Sequence, residues 1–454
     1  MPLRFYLKIK NKASRSHSGL IFLFSVLGLL SVFSCKERLA GSQSLNREQN
    51  IVQQHSIVPK DTLICKKDYC IWVSPEVPES GDCALLLFFD PQGEGKKPIE
   101  MYSKASFSVP GIFVGSNLSR NGLDFETSSR IVSALLDSMR TRFPKLVLHP
   151  YFFGFSGGAK VALNAARRIP GIEGVVYAGA PGISQAVCPV LGFAGKGDLN
   201  YADLLAFDAA LPSQLPHHLI VWSGKHEWPK PMSMKIAFDW IAGKINPGSG
   251  IIDRIILQKK SFAEYSNTSP LEKFSALQLA SFLSSSTGKP DKFKIELEQL
   301  QLSPEFIRAK SKRDIAIQDE LVLKESYRKA FLEKDFQWWE PEIQLLSTHA
   351  RFQDAWLQDR LLGYLSLLAY SASNQALASN DPNLAAKFLA FYKLVDPVNS
   401  EHAYLLAVLE ARKGNRQGCI ESIKLAIELG FNDSVRVKKQ PEFSCMGLES
   451  FLNP

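Results

Sequence analysis

From about residue 60 onward, short apolar runs alternate with stretches in which apolar residues recur at helical spacing. Ala84–Phe89, Gly111–Gly115, Tyr151–Phe155, Val175–Ala178, Val190–Phe193 and Leu219–Trp222 are almost continuously apolar. Such runs predict strands covered on both faces. Helical spacing over Thr127–Arg142, Ala159–Arg168 and Met234–Ile245 sets helices between them. Strands alternating with helices predict an α/β fold, a mostly parallel sheet flanked by helices.

The turn-forming stretch Asn246-Pro247-Gly248-Ser249-Gly250 marks a boundary, because beyond it strand patterning mostly ceases and helical periodicity takes over. The expected organisation is an α/β domain over 60–245, a linker and helical transition over 246–289, and an all-helical domain over 290–454. Within the last, Ser366–Asn399 and Ser400–Asp433 form two successive units of 34 residues. Ala385 and Leu389 of the first unit correspond to Cys419 and Ile423 of the second, and Ala407 and Ala426 fill two further small-residue positions. The pattern resembles the tetratricopeptide repeat, in which small residues let paired helices pack closely. Phe431 stands where the second unit would carry the equivalent of Pro397. Because single units cannot bury their faces alone, the helices from about 290 to 365 are expected to complete the stack.

The chain opens differently. Arg4, Lys8, Lys10, Lys12 and Arg15 come without an acid and precede the apolar run Gly19–Phe33 and then Ser34-Cys35. That run is shorter than the ~20 residues a membrane-spanning helix needs, and it ends at a small residue, as an export signal does. Val32-Phe33-Ser34-Cys35 resembles a bacterial lipobox, which implies a signal over 1–35 and a lipidated Cys35; a plain membrane anchor is the alternative. Residues 36–59 are polar and lack periodicity, as a tether should. The expectation is an exported protein, lipid-anchored to a bacterial membrane on the periplasmic side or the cell surface. Loss of residues 1–34 leaves 48 basic residues against 45 acidic ones, a net charge of +3 in place of +8. The basic excess thus belongs mostly to targeting, and nucleic acid is an unsuitable partner. The six later cysteines, Cys65, Cys70, Cys83, Cys188, Cys419 and Cys445, form no metal-binding pattern, and no cofactor is implied. Cys65 and Cys70 flank a turn at Lys67-Asp68 between strand-like Thr62–Ile64 and Ile71–Val73. They are either a cross-strand disulfide, as export permits, or two buried thiols.

Candidate chemistry centres on Gly154-Phe155-Ser156-Gly157-Gly158, which follows an apolar strand and precedes a helical stretch. A serine on so sharp a strand-to-helix turn needs small neighbours, since the backbone bends into strained dihedrals. Ser156 is the candidate nucleophile. A serine hydroxyl needs a base and a carboxylate that orients the base. His226 follows the last strand, Leu219–Trp222, and Asp198 follows the strand before it. The order Ser156, Asp198, His226 resembles the α/β-hydrolase superfamily. Intervals of 42 and 28 residues leave no room for a lid domain, which is closer to the dienelactone hydrolase and carboxylesterase type than to capped lipases. The resemblance covers roughly residues 60–245. It implies an oxyanion hole, for which Gly157 supplies one backbone N–H by position. The second should come from the loop Asp90–Gly95; Pro91 has no N–H, so Gln92 is the expected donor.

Each candidate has a structural counterpart. Asp198 could instead cap the helix beginning near Tyr201, and Asp203 is a rival acid. His217 and His218 precede the strand Leu219–Trp222 and His149 precedes the strand of the serine turn, at the sheet edge opposite the site, so His217 and His218 read as surface or turn residues. Arg120, in the loop after Gly111–Gly115, could meet an acidic substrate group or simply be solvated. Trp338-Trp339 fits buried packing between helices, because Phe336 and Ile343 continue an apolar spacing. The functional expectation is a membrane-anchored serine esterase whose helical domain binds a protein or peptide partner. The alternative is a non-catalytic interaction lipoprotein using the hydrolase fold as a scaffold. A peptidase or an acyltransferase would use the same three residues.

Overall fold

In a computed structural model of the chain, the described residues are 59–444 and 446, apart from 106–108, 183–185, 266, 349–351 and 353. The leader, Cys35 and most of the tether lie outside the described residues.

Eight strands of the described chain form one sheet in the order β1-β2-β4-β3-β5-β6-β7-β8. They are β1 (Leu63–Cys65), β2 (Tyr69–Val73), β3 (Gly81–Phe89), β4 (Gly111–Ser116), β5 (Leu146–Phe155), β6 (Gly174–Ala178), β7 (Val190–Gly195) and β8 (His217–Trp222). Only β2 runs against its neighbours; from β4 to β8 every pairing is parallel. Parallel pairing needs crossover connections, and helices supply most of them: α1 (Lys96–Tyr102), α2 (Phe125–Arg142), α3 (Gly157–Arg168) and α4 (Tyr201–Ala210), while α5 (Pro231–Ile245) follows the last strand.

The middle stretches of the central strands are apolar because both faces are covered there. Along β3, Leu85, Leu87 and Phe89 pack with Val132, Leu136 and Met139 of α2 and with Ala159 and Ala162 of α3. The alternate residues Ala84, Leu86 and Phe88 pack on the other face with Ile99 and Tyr102 of α1 and with Phe238 and Ile241 of α5. Some strands start earlier than their apolar runs suggest: β5 begins at Leu146 and β8 at His217, whereas β4 and β7 begin where expected. Ladder bonds to a neighbouring strand hold the extra polar residues extended, as the pairing of Asp82 with Val147 shows.

Residues 246–289, expected as a linker and helical transition, are mostly helical. They form α6 (Ile251–Glu264) and α7 (Pro270–Ser286), and Ile252, Ile255, Leu279, Phe282 and Leu283 join the second face of the sheet core. Phe282 lies 5.0 Å from the ring of Trp240 in α5. Strand patterning ends before this segment because the sheet is complete, while burial of its face continues.

The rest is helical: α8 (Lys294–Leu302), α9 (Pro304–Glu333), α10 (Phe336–Ser347), α11 (Leu357–Ala378), α12 (Pro382–Val395), α13 (Ser400–Arg412), α14 (Arg416–Glu428) and α15 (Ser434–Lys439). The 34-residue period of the sequence has physical counterparts in the last two hairpins. Asn380 and Gly414 both take positive φ, and Asp381 and Asn415 then cap α12 and α14 through their side chains. Ala385 and Cys419, and Leu389 and Ile423, are all buried. Phe431, at the position equivalent to Pro397, stacks on Tyr404 at 4.6 Å. Trp339 is buried against Tyr327 and Phe391 and packs helices together, whereas Trp338 is exposed, so the expectation of buried packing holds for one member of the tryptophan pair.

Candidate active site

Ser156 sits between β5 and α3 with φ 51° and ψ −119°. Side chains avoid this region, and a non-glycine residue held there indicates a backbone fixed by its surroundings. Two glycines make the turn feasible. A Cβ on Gly154 would stand 2.2 Å from the Gly158 carbonyl oxygen, and one on Gly158 would stand 1.8 Å from that of Phe89. The Ser156 N–H donates to the Ala178 carbonyl at 2.8 Å, which ties the turn to the end of β6.

The loops after β7 and β8 bring their side chains to this turn. His226 Nε2 is 3.0 Å from Ser156 Oγ, and His226 Nδ1 is 2.9 Å from Asp198 Oδ1. With Nδ1 protonated and donating to the carboxylate, Nε2 is left to accept the serine proton. Phe155 packs on the imidazole at a centroid distance of 4.9 Å, and the Asp198 side chain is only 2% exposed. Asp198 Oδ1 also accepts the N–H of Asn200 at 2.8 Å, so the carboxylate both orders the turn into α4 and faces the imidazole. The N-cap of α4 is Asn200, without a side-chain cap bond, so Asp198 shapes the turn before the helix and does not cap it. Asp203 lies on α4, where its charged neighbours are Lys324, Glu320, Asp198 and Lys160.

The oxyanion side differs from expectation. Gly157 opens α3, so its N–H has no acceptor within the helix and is available beside Ser156. Gln92 N–H, however, donates to Asp90 Oδ1 at 2.9 Å and is engaged within its own loop. Buried Asp90 also accepts Trp228 Nε1 at 2.8 Å, which pins that loop to the segment after His226. Asn121 instead stands over the turn. A Cβ on Gly157 would lie 1.7 Å from Asn121 Oδ1, so glycine is needed for the amide to approach. Asn121 was not singled out in the sequence; the only signal was its place in an Asn-Gly turn after β4, with Gly122 at φ 89°. Arg120 is exposed next to it, and its Cβ lies near the position a Cβ on Gly93 would take.

The other histidines lie elsewhere. His149 is within β5 and bridges Asp82 at 2.8 Å and Glu173 at 3.4 Å. His217 pairs with Asp208 at 3.0 Å. His218 is buried, and desolvation pushes its pKa down to about 4. Cys65 and Cys70 are disulfide-bonded, resolving that alternative. Burial raises the thiols of Cys83 and Cys188 to about 12, which makes them unreactive. Among the described residues, no three His, Cys, Asp or Glu side chains gather as a metal site would require.

No family model and no curated protein matches this chain. Solved structures do match, among them the native structure of a novel cold-adapted esterase from an Arctic intertidal metagenomic library. That match has 13% identity and a TM-score of 0.31, and covers 40% of this chain and 93% of the esterase chain.

Proposed function

We propose that this protein is a serine hydrolase of the esterase type, exported and held at a bacterial membrane by a lipid on Cys35. One observation supports the chemistry above all. A serine in a strained, positive-φ turn has its Oγ 3.0 Å from an imidazole whose other nitrogen faces a buried carboxylate at 2.9 Å. Serines that only shape a turn have no need of that chain of partners.

In the reaction, Ser156 Oγ attacks the acyl carbon of an ester while His226 Nε2 takes its proton. Asp198 holds the imidazole in the tautomer that leaves Nε2 unprotonated and stabilises the imidazolium that forms. Charge on the tetrahedral oxygen develops towards the Gly157 N–H. His226 then gives its proton to the leaving alcohol, and water, activated by the same nitrogen, releases the acid from Ser156. The test is labelling of the purified protein by a fluorophosphonate. Wild type should label and Ser156→Ala should not. A folded wild type that does not label excludes the assignment.

A further inference from the structure

The loop that carries Asp198 has a second set of partners, contributed by the helical region. On α9, fully buried Glu320 divides its carboxylate oxygens between Lys324 Nζ at 2.6 Å and Arg360 Nε of α11 at 2.8 Å. Both cations have donors left over. Arg360 Nη1 donates to the Lys196 carbonyl at 2.7 Å, and Lys324 Nζ donates to the Leu199 carbonyl at 2.7 Å. These carbonyls lie two residues before Asp198 and one residue after it. Arg360 also rests over the Tyr201 ring at 5.0 Å, and its Nη2 donates to Asp354 at 2.7 Å.

The N–H groups of the same loop are held from the sheet side. Lys196 N–H donates to Trp222 O at 2.9 Å, Gly197 N–H to Gly224 O at 2.8 Å and Asp198 N–H to Gly195 O at 3.0 Å. The loop is therefore gripped from two directions, and only the helical grip uses charge. Gly197 has room for no side chain, since a Cβ there would stand 2.9 Å from Trp356 and 3.2 Å from Asp359 Cβ. Asp359 in turn pairs at 2.8 Å with Lys225, the residue before His226. Burying three charged side chains gains little stability over apolar packing of the same volume. What charge supplies here is direction, because the donors reach two particular backbone oxygens.

We propose that Arg360 and Lys324 are positioning residues for Asp198, so that the helical region is a working part of the hydrolase and not an appended module. They fix the acid loop in the register that keeps Asp198 Oδ1 against His226 Nδ1. This rests on the serine hydrolase reading, and the test separates the two.

Full-length wild type, Arg360→Lys, Arg360→Met and Lys324→Met are compared in fluorophosphonate labelling rate and in p-nitrophenyl acetate hydrolysis. Each is also made on an Asp198→Asn background, with thermal melting as the fold control. Arg360→Met is expected to lower kcat about 10²-fold with KM nearly unchanged, as a displaced catalytic group does. Arg360→Lys keeps the charge beside Glu320 but loses the fork to Lys196. It should melt close to wild type and still lose kcat about 10-fold or more, which a purely stabilising role would not produce. On the Asp198→Asn background these losses should largely vanish, because the group being positioned is gone. Should Arg360→Met fail to fold, Lys324→Met and Arg360→Lys give the decision. Folded variants with wild-type kcat, or losses that add fully to that of Asp198→Asn, overturn the proposal. A wild type without Ser156-dependent labelling overturns the hydrolase reading itself.

Discussion

Gly158 lies so close to Phe89 that a Cβ on it would stand 1.8 Å from the Phe89 carbonyl oxygen. Because the obstructing atom is backbone at the end of β3, no rotamer change relieves the clash. Gly158→Ala should cost about 3 kcal/mol by overpacking, read as a lower urea midpoint. Activity should fall further than stability, since α3 must move and Ser156 moves with it.

Asp198→Asn leaves an amide opposite His226 Nδ1, favouring the tautomer whose Nε2 carries the proton. With geometry kept and the base blocked, kcat should drop about 10⁴-fold while KM changes little. Steady-state hydrolysis of p-nitrophenyl acetate checks this. A loss confined to KM would place Asp198 outside the reaction.

His218 gives stability a pH dependence of known sign. Its folded pKa is pushed down to about 4 by burial, against an ordinary value of 6.5, with Asp208, His217 and Lys259 as the charges that act on it. Between those values the unfolded chain binds more protons, so stability is complete above pH 6.5 and is lost as pH falls towards 4. A shift of this size corresponds to about 3 kcal/mol. Urea unfolding at pH 7 and pH 5 should show a smaller difference in His218→Leu than in wild type.

Cys35→Ser tests the anchor. The wild-type protein expressed in a bacterium with lipoprotein processing should sediment with membranes and yield a lipid-modified N-terminal peptide by mass spectrometry. The serine variant should do neither.

Much of the site was legible in the sequence because its parts are local. Gly154 to Gly158 declares a turn through residue size alone, and Asp198 and His226 follow apolar strands that their own composition reveals. The engagement of the Gln92 N–H is itself local, but what fixes the loop is not. Asp90 turns back to accept the Gln92 N–H, and only folding brings Trp228 to the other oxygen of that carboxylate. The helical character of residues 246–289 is legible in the periodicity, but that α6 and α7 bury against the sheet is not, because periodicity does not say which surface receives a helix.

By itself, then, the sequence determined the alternation of strands and helices, the strained serine turn, the order of the three candidate catalytic residues and the 34-residue helical period. These are encoded in side-chain size and spacing over a few turns of chain. Tertiary structure alone decided that Asn121 meets Gly157, that Trp228 reaches Asp90, and that Glu320, Lys324 and Arg360 close on the loop of Asp198. Those contacts join residues as much as 164 positions apart. Hydrogen bonds and buried charges depend on distances of a few tenths of an ångström, and no local pattern carries that information.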